Sequence, residues 1–268
     1  MAEAHVNGLR LYYEEHGEGP AIVCIHGASS SAMVWAGAAA ELAGLGRVIL
    51  YDRRGATRSE RPETYDASVP AHAADAAALI EKLDAAPAIV IGRSYGGEIA
   101  TALALERPEL VRALVLLDGV PPTLDAEAQA WTEELCTSIE EVSADGPEAV
   151  LEALFDRVAG TGALASFPEA LRRMFVDNAP VVVAEVRPPY FAPTEAALAR
   201  IDVPTLLVLP GQPLPGMSRA TERMAAALPN ARLAVVPGGH LVDPTEPAVL
   251  EFVADVLRDD LEYRTPAA

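Results

Sequence analysis

Ala88-Ile89-Val90-Ile91-Gly92-Arg93-Ser94-Tyr95-Gly96-Gly97 runs from a wholly apolar segment, through a serine flanked by glycines, into a stretch with helical spacing that Pro108 stops near Glu106. A short unbroken apolar run reads as a strand buried on both faces, as in a parallel sheet. A helix that starts directly after such a strand demands a sharp turn. Glycines at 92 and 96 leave room for one, because side chains at those positions would clash. A serine held there stands exposed at the carboxyl edge of the sheet, and the free amides of the helix N-terminus favour negative charge beside it.

The same alternation extends outward in both directions. Upstream lie a hairpin (Ala4–Val6, an Asn7-Gly8 turn, Leu9–Glu14), the apolar strand Ala21–Ile25, a helical stretch Ala32–Leu45, the strand Arg47–Tyr51 and an Ala-rich helix Pro70–Leu83. Downstream, Arg112–Leu117 reads as another strand, ending in Asp118-Gly119. Alternating strands and helices over residues 1–120 predict an α/β fold, a mostly parallel sheet with helices on both faces. The rhythm then changes. Asp125–Ser143, Pro147–Ala159 and, in pieces, Phe167–Val186 have helical spacing with little strand signal, so 121–202 is expected to be an inserted helical cap. Pro204–Leu209 resumes the sheet, followed by helix Arg219–Ala227, strand Arg232–Val236 and helix Pro247–Leu257, so 203–268 returns to the core.

The bulk properties bound the function. Of 268 residues 51% are apolar, enough for a large core, and a net charge of -19 repels nucleic-acid phosphates and anionic membrane surfaces. No apolar run approaches the ~20 residues that cross a bilayer, and Met1–His16 has no leader pattern. The expected partner is a small-molecule substrate, without nucleic acid or membrane; cytoplasmic is the default location, and homo-oligomerisation stays open. Cys24 and Cys136 lack metal-ligand or redox spacing and read as inert thiols in a reducing compartment. Neither a metal site nor a cofactor fingerprint is present in the sequence pattern, so no cofactor is expected.

A serine hydroxyl needs a base to become a nucleophile. Of five histidines, His5 and His16 lie in the hairpin and His72 on a polar stretch entering a helix, all three expected at the surface. His240, in Pro237-Gly238-Gly239-His240, follows the last strand at the carboxyl edge, where open α/β sheets bind ligands. It is the candidate base. His26-Gly27 follows strand Ala21–Ile25, where the amides of Ala28 and Tyr95 can converge as an oxyanion hole. His26 itself reads as a structural residue holding that loop.

Taken together, His26-Gly27, Asp52-Arg53-Arg54-Gly55-x-x-x-Ser59, Gly92-x-Ser94-x-Gly96-Gly97, Asp118-Gly119 and Gly238-Gly239-His240 resemble the α/β-hydrolase superfamily, in its single-domain, cap-bearing form. The resemblance covers the chain apart from the cap. It implies an eight-stranded sheet with the second strand antiparallel, and a Ser-acid-His triad. The acid departs from the usual pattern. Most members place it after the strand that here ends at Leu209, yet Pro210-Gly211-Gln212-Pro213-Leu214-Pro215-Gly216 holds no carboxylate. Asp118 is the natural candidate: some dehalogenases and a group of lactone hydrolases of fungal toxins resemble this chain in placing the acid there, and Asp118-Gly119-Val120-Pro121 is similar to the acid segment of the latter group.

Competing readings accompany each of these residues. Asp118 also fits a strand-end turn. Asp243 rivals it, but Asp243-Pro244-x-Glu246 reads as the cap of the final helix. Asp52 is expected to pair with Arg53, Arg54 or the local turn. Arg93 either reaches nearby carboxylates or holds an anionic part of the substrate, with the structural role favoured. Trp131, Phe155, Met174 and Tyr190 are candidates to line a substrate pocket, Trp131 and Tyr190 as substrate-binding residues; all four fit the cap's own core equally well.

The function expected is acyl transfer by Ser94, His240 and Asp118 on an ester, lactone or related substrate that is small and fairly apolar. Two rivals keep the fold: a ligand-binding or sensory protein with a vestigial triad, and a lyase using the same three residues as acid and base.

Overall fold

In the computed structural model, which describes residues 2–264, the chain forms one eight-stranded sheet in the order β1-β2-β4-β3-β5-β6-β7-β8. The elements are β1 (Ala2–Val6), β2 (Leu9–His16), β3 (Ala21–Ile25), α1 (Ala36–Ala43), β4 (Arg47–Tyr51), α2 (Val69–Lys82), β5 (Ala88–Arg93), α3 (Tyr95–Glu106) and β6 (Val111–Leu117). After them come α4 (Ala126–Glu141), α5 (Pro147–Val158), α6 (Ala163–Ser166), α7 (Glu169–Asp177), α8 (Ala179–Glu185), α9 (Glu195–Leu198), β7 (Thr205–Pro210), α10 (Met217–Ala227), β8 (Ala231–Val236) and α11 (Pro247–Arg264). Strand β2 runs antiparallel to β1 and β4, and the pairs from β4 through β8 are parallel.

The central strands are apolar throughout because both faces of the sheet are covered. Successive residues serve opposite layers, as the period of two requires. Val23, Ile25, Ile49 and Val90 join the core under α2, α3 and α10, whereas Ile22, Cys24, Leu50, Ile89 and Ile91 join the core under α1 and α11. Helix α1 is shorter than the spacing predicts. Ser31 caps a 3₁₀ turn at Ala32–Trp35 by accepting from the Met33 amide, and Gly44 ends the helix that follows.

Between β6 and β7 the chain holds helices and no strand. Leu135, Ile139, Leu151, Phe155, Met174 and Phe175 form a separate apolar cluster there, with Phe155, Phe167 and Phe175 in mutual ring contact at 4.8–5.2 Å. The short helices α6 and α9 were not foreseen, since a four-residue helix leaves no periodic trace. Of the segments read as core from sequence, Met1 and residues 265–268 lie outside the described residues.

Candidate active site

The turn after β5 places Ser94 at φ 52°, ψ -126°, a conformation that costs a non-glycine residue about 1–3 kcal/mol and persists only where its surroundings enforce it. Here the Ser94 amide donates to Leu117 O (3.1 Å) and the Gly97 amide to Ser94 O (2.7 Å). A Cβ on Gly92 would sit inside the backbone of Gly96 and Gly97, so the turn closes only on glycine.

Ser94 Oγ lies 2.9 Å from His240 Nε2, and His240 Nδ1 lies 2.7 Å from Asp118 Oδ2. The histidine side chain is 9% exposed and the aspartate side chain 0%. An ionised carboxylate only accepts, so Nδ1 carries the imidazole proton and Nε2 is free to accept from the serine hydroxyl. Strand order makes this contact. Asp118 ends β6, with its amide on Val208 O (2.9 Å). The segment after β7 is stitched to the segment after β8 by Gly211 N to Val236 O (2.7 Å) and Gln212 N to Gly238 O (2.9 Å). The loop bearing His240 therefore reaches past the carboxylate-free end of β7 to the end of β6.

Asp243 is occupied elsewhere. Its Oδ1 accepts from the Thr245 amide (2.9 Å) and hydroxyl (2.8 Å). This corrects the expected helix cap: Asp243 closes a turn that contains Pro244, and the helix begins at Pro247. Asp52 pairs with Arg58, not with Arg53 or Arg54, and also accepts from the Ala32 amide. Arg53 and Arg54 reach Glu185 and Asp75 instead.

The loop carrying Ala28 is held on both sides. Gly27 brings it against the nucleophile, since a Cβ there would lie 3.2 Å from the Ser94 Cβ. Arg53 donates to His26 O (3.1 Å) and Gly27 O (2.9 Å), and Asn178 Nδ2 donates to Ser29 O (3.3 Å) and Ser30 O (3.0 Å). His26 Nε2 accepts from the Arg53 amide (3.0 Å), so Nδ1 donates to Gly27 O (2.9 Å). Burial, and then the Arg53 charge, lower the pKa of His26 far below that of a free imidazole, which leaves it a neutral structural residue.

Arg53 Nη1 also meets Glu185 Oε1 on α8 at 2.5 Å, an ion pair whose side chains are 1% and 2% exposed. Burial raises the Glu185 pKa, but Arg53 and His72 outweigh it and hold the carboxyl below its ordinary range. His72 belongs to this cluster, 3.3 Å from Glu185, and is 1% exposed, which corrects the expected surface position. It faces the buried side of α2, where burial and Arg53 lower its pKa to about 4.

A cavity of about 360 Å³ opens onto Ser94, Asp118 and His240, within the range of small-molecule sites. Ala28, Tyr95, Trp131 and Tyr190 line it, so the structure brings these four and the three triad candidates to one place. Phe155 and Met174, expected as possible pocket residues, do not line it; they are buried in the cap's apolar cluster, which corrects that expectation. Arg93 does not line the cavity; its guanidinium lies 5.0 Å from the Trp35 ring centre, and burial lowers its pKa to about 10. Cys24 is buried in the core, and burial pushes the Cys136 thiol up to about 11.

Four residues of the site were not picked out from sequence as such: Arg53 beyond its link to Asp52, Glu98, Asn178 and Glu185. Glu98 had a usable signal, since it follows Ser94 by one helical turn and shares its face. Asn178 and Glu185 act across more than a hundred residues and leave no local pattern.

Comparison with known proteins agrees with this architecture. A family model described as alpha/beta hydrolase fold matches residues 20–247. A Synechocystis protein named "Putative non-heme chloroperoxidase" is 30% identical over 91% of this chain and 95% of its own length. A Pseudomonas savastanoi protein named "Putative carbamate hydrolase RutD" is 28% identical over 87% and 91%. The solved structure of Est816, described as an N-acyl homoserine lactone degrading enzyme, superposes with a TM-score of 0.75 at 26% identity, covering 96% of this chain and 99% of that one. Among the described residues no helix is long and apolar enough to cross a membrane.

Proposed function

The chain belongs to the alpha/beta hydrolase fold family, and from that premise we propose that it is a serine hydrolase cleaving an ester, lactone or related acyl bond of a small, largely apolar molecule. The observation that carries this reading is the hydrogen-bonded chain from Ser94 through His240 to Asp118, at 2.9 and 2.7 Å, opening onto a cavity. A relative named for carbamate hydrolysis and a neighbour described as degrading an acyl lactone support the same bond class.

His240 Nε2 takes the proton from Ser94 as Oγ attacks the carbonyl carbon, and Asp118 stabilises the imidazolium that forms. The amides of Ala28 and Tyr95 hydrogen-bond the oxyanion, each worth about 3–4 kcal/mol in comparable sites. The leaving oxygen departs with the proton from His240. Water, deprotonated by the same nitrogen, then releases the acyl group from Ser94. Residues 121–202 form the cap over the cavity, with Trp131 and Tyr190 as substrate contacts. No step needs a cofactor. Asp118 against the imidazole favours this reading over a vestigial triad, whose support is the missing carboxylate after Leu209.

The test is turnover of short p-nitrophenyl esters and simple lactones by the parent enzyme and by Ser94→Ala. Ester turnover that falls about 10⁴-fold or more in the variant is the expected result. Turnover unchanged in Ser94→Ala would refute the reading.

A further inference from the structure

Glu98 stands in the first turn of α3, one turn beyond Ser94, half-buried on the wall of the cavity. Among the described residues its carboxyl has neither a hydrogen-bond nor an ion-pair partner, so its hydrogen-bonding capacity is left for a molecule in the cavity. Of the polar side chains on the same cavity, the Tyr65 hydroxyl and Glu185 Oε2 also lack a partner among the described residues, whereas others are engaged. Glu185 Oε1 is paired with Arg53, and Tyr95 donates to Ala67 O (3.0 Å).

We propose that Glu98 is a specificity-determining residue, which hydrogen-bonds an uncharged polar group (a hydroxyl, ketone or amide) that the substrate carries near the carbonyl attacked by Ser94, since Glu98 follows Ser94 by one helical turn on the wall of the same cavity. The inference rests on the acyl-transfer reading and names a feature of its substrate. The charges facing Glu98 favour a neutral ligand. Burial, and then the Glu185 carboxylate, raise the Glu98 pKa to about 8, against the pull of the helix N-terminus. The remaining titratable neighbours, Tyr95 and Cys136, are themselves held neutral by burial. At pH 7 the group is therefore mainly a carboxylic acid, which both donates and accepts. An anionic substrate would meet the carboxylates of Glu185, Asp118 and Asp66 in the same cavity, against the exposed Arg187 in its lining. A purely apolar substrate would strand the carboxyl without a partner, and sites built around a hydrogen bond discriminate against analogues that lack it.

The experiment compares kcat/KM for p-nitrophenyl hexanoate with p-nitrophenyl 5-oxohexanoate. It is repeated with the ketone in the leaving group (3-oxobutyl against butyl hexanoate) and with a trimethylammonio acyl chain. The parent enzyme is expected to prefer the ketone of at least one pair by about tenfold, the worth of one good hydrogen bond. Glu98→Gln should keep that ratio within a few-fold, and Glu98→Leu should abolish it. No preference in either pair overturns the proposal in the parent enzyme alone, whatever the variants do. So does a ratio unaffected by Glu98→Leu, or a preference for the trimethylammonio ester that Glu98→Gln removes. Failure of the reading it rests on looks different: no ester is then hydrolysed in a Ser94-dependent way.

Discussion

Replacing Asp118 by Asn exchanges one oxygen for a nitrogen at the group that orients His240, and the geometry sets the cost. Asp118 Oδ2 accepts from His240 Nδ1, while among the described residues no group donates to the buried Oδ1. An asparagine with its carbonyl toward Nδ1 would bury its NH₂ where Oδ1 lies, with no acceptor, at about 1–3 kcal/mol. The opposite rotamer aims the NH₂ at Nδ1 and puts the carbonyl in the position that already tolerates an unpaired oxygen. That rotamer is preferred, and it forces the imidazole proton onto Nε2, toward Ser94, so the base is lost. The charge that stabilises the imidazolium is lost with it. The equivalent change in a known triad lowers kcat about 10⁴-fold, some 5.5 kcal/mol of barrier. The fold should survive, because residue 118 sits at φ 41°, a region that asparagine adopts as readily as aspartate. The assay is kcat and KM on a p-nitrophenyl ester, with urea denaturation as the control. A fully folded Asp118→Asn within tenfold of parent kcat would refute the argument, and more so if Asp243→Asn lost turnover instead.

Asn178→Ala removes both donors from the Ser29 and Ser30 carbonyls and the acceptor of the Thr57 amide. It should cost about 3 kcal/mol of stability from stranded groups and lower kcat more than it raises KM, as measured by urea unfolding and ester kinetics; destabilisation with kcat unchanged would mean that the loop does not depend on Asn178. Glu185→Gln leaves Arg53 buried without its counter-charge and should cost about 3–5 kcal/mol; a loss under 1 kcal/mol in urea would contradict the buried pairing. His72 has a folded pKa of about 4, below its unfolded value, so between these values the unfolded chain binds more protons and stability falls as pH drops from 6.5 to 4. Glu98 acts in the opposite sense: its contribution is complete below about 4.5 and is lost as pH rises through about 8. The His72 effect is therefore read as a difference, with the stability gap between His72→Gln and the parent shifting by about 2 kcal/mol in favour of the variant from pH 7 to pH 5; a gap independent of pH would refute it.

The sheet was legible in the sequence because its strands are short apolar runs bounded by glycine, proline and strand-end aspartates, all local signals. Ala21–Ile25 and Arg47–Tyr51 are observed with the bounds expected from sequence. The triad candidates were legible for a related reason: Ser94 and Asp118 directly follow strands and His240 lies in the loop after the last one, on an edge that the alternation of strands and helices defines. His72 was misplaced because a polar-looking helix entry gave no sign that Arg53 and Glu185 converge on it. The cap's helices were visible, but which of its aromatics face the cavity was not. Trp131 and Phe155 lie on adjacent helices of similar pattern, yet only the first lines the cavity. That choice is made by tertiary packing, which periodicity does not encode.

Labelling with a fluorophosphonate, followed by intact-mass measurement and peptide mapping, tests most directly whether Ser94 is an activated nucleophile. The predicted result is a single adduct on Ser94, formed far more slowly in Asp118→Asn and absent from Ser94→Ala. No adduct under conditions that label a control esterase, or an adduct that persists in Ser94→Ala, would contradict the account.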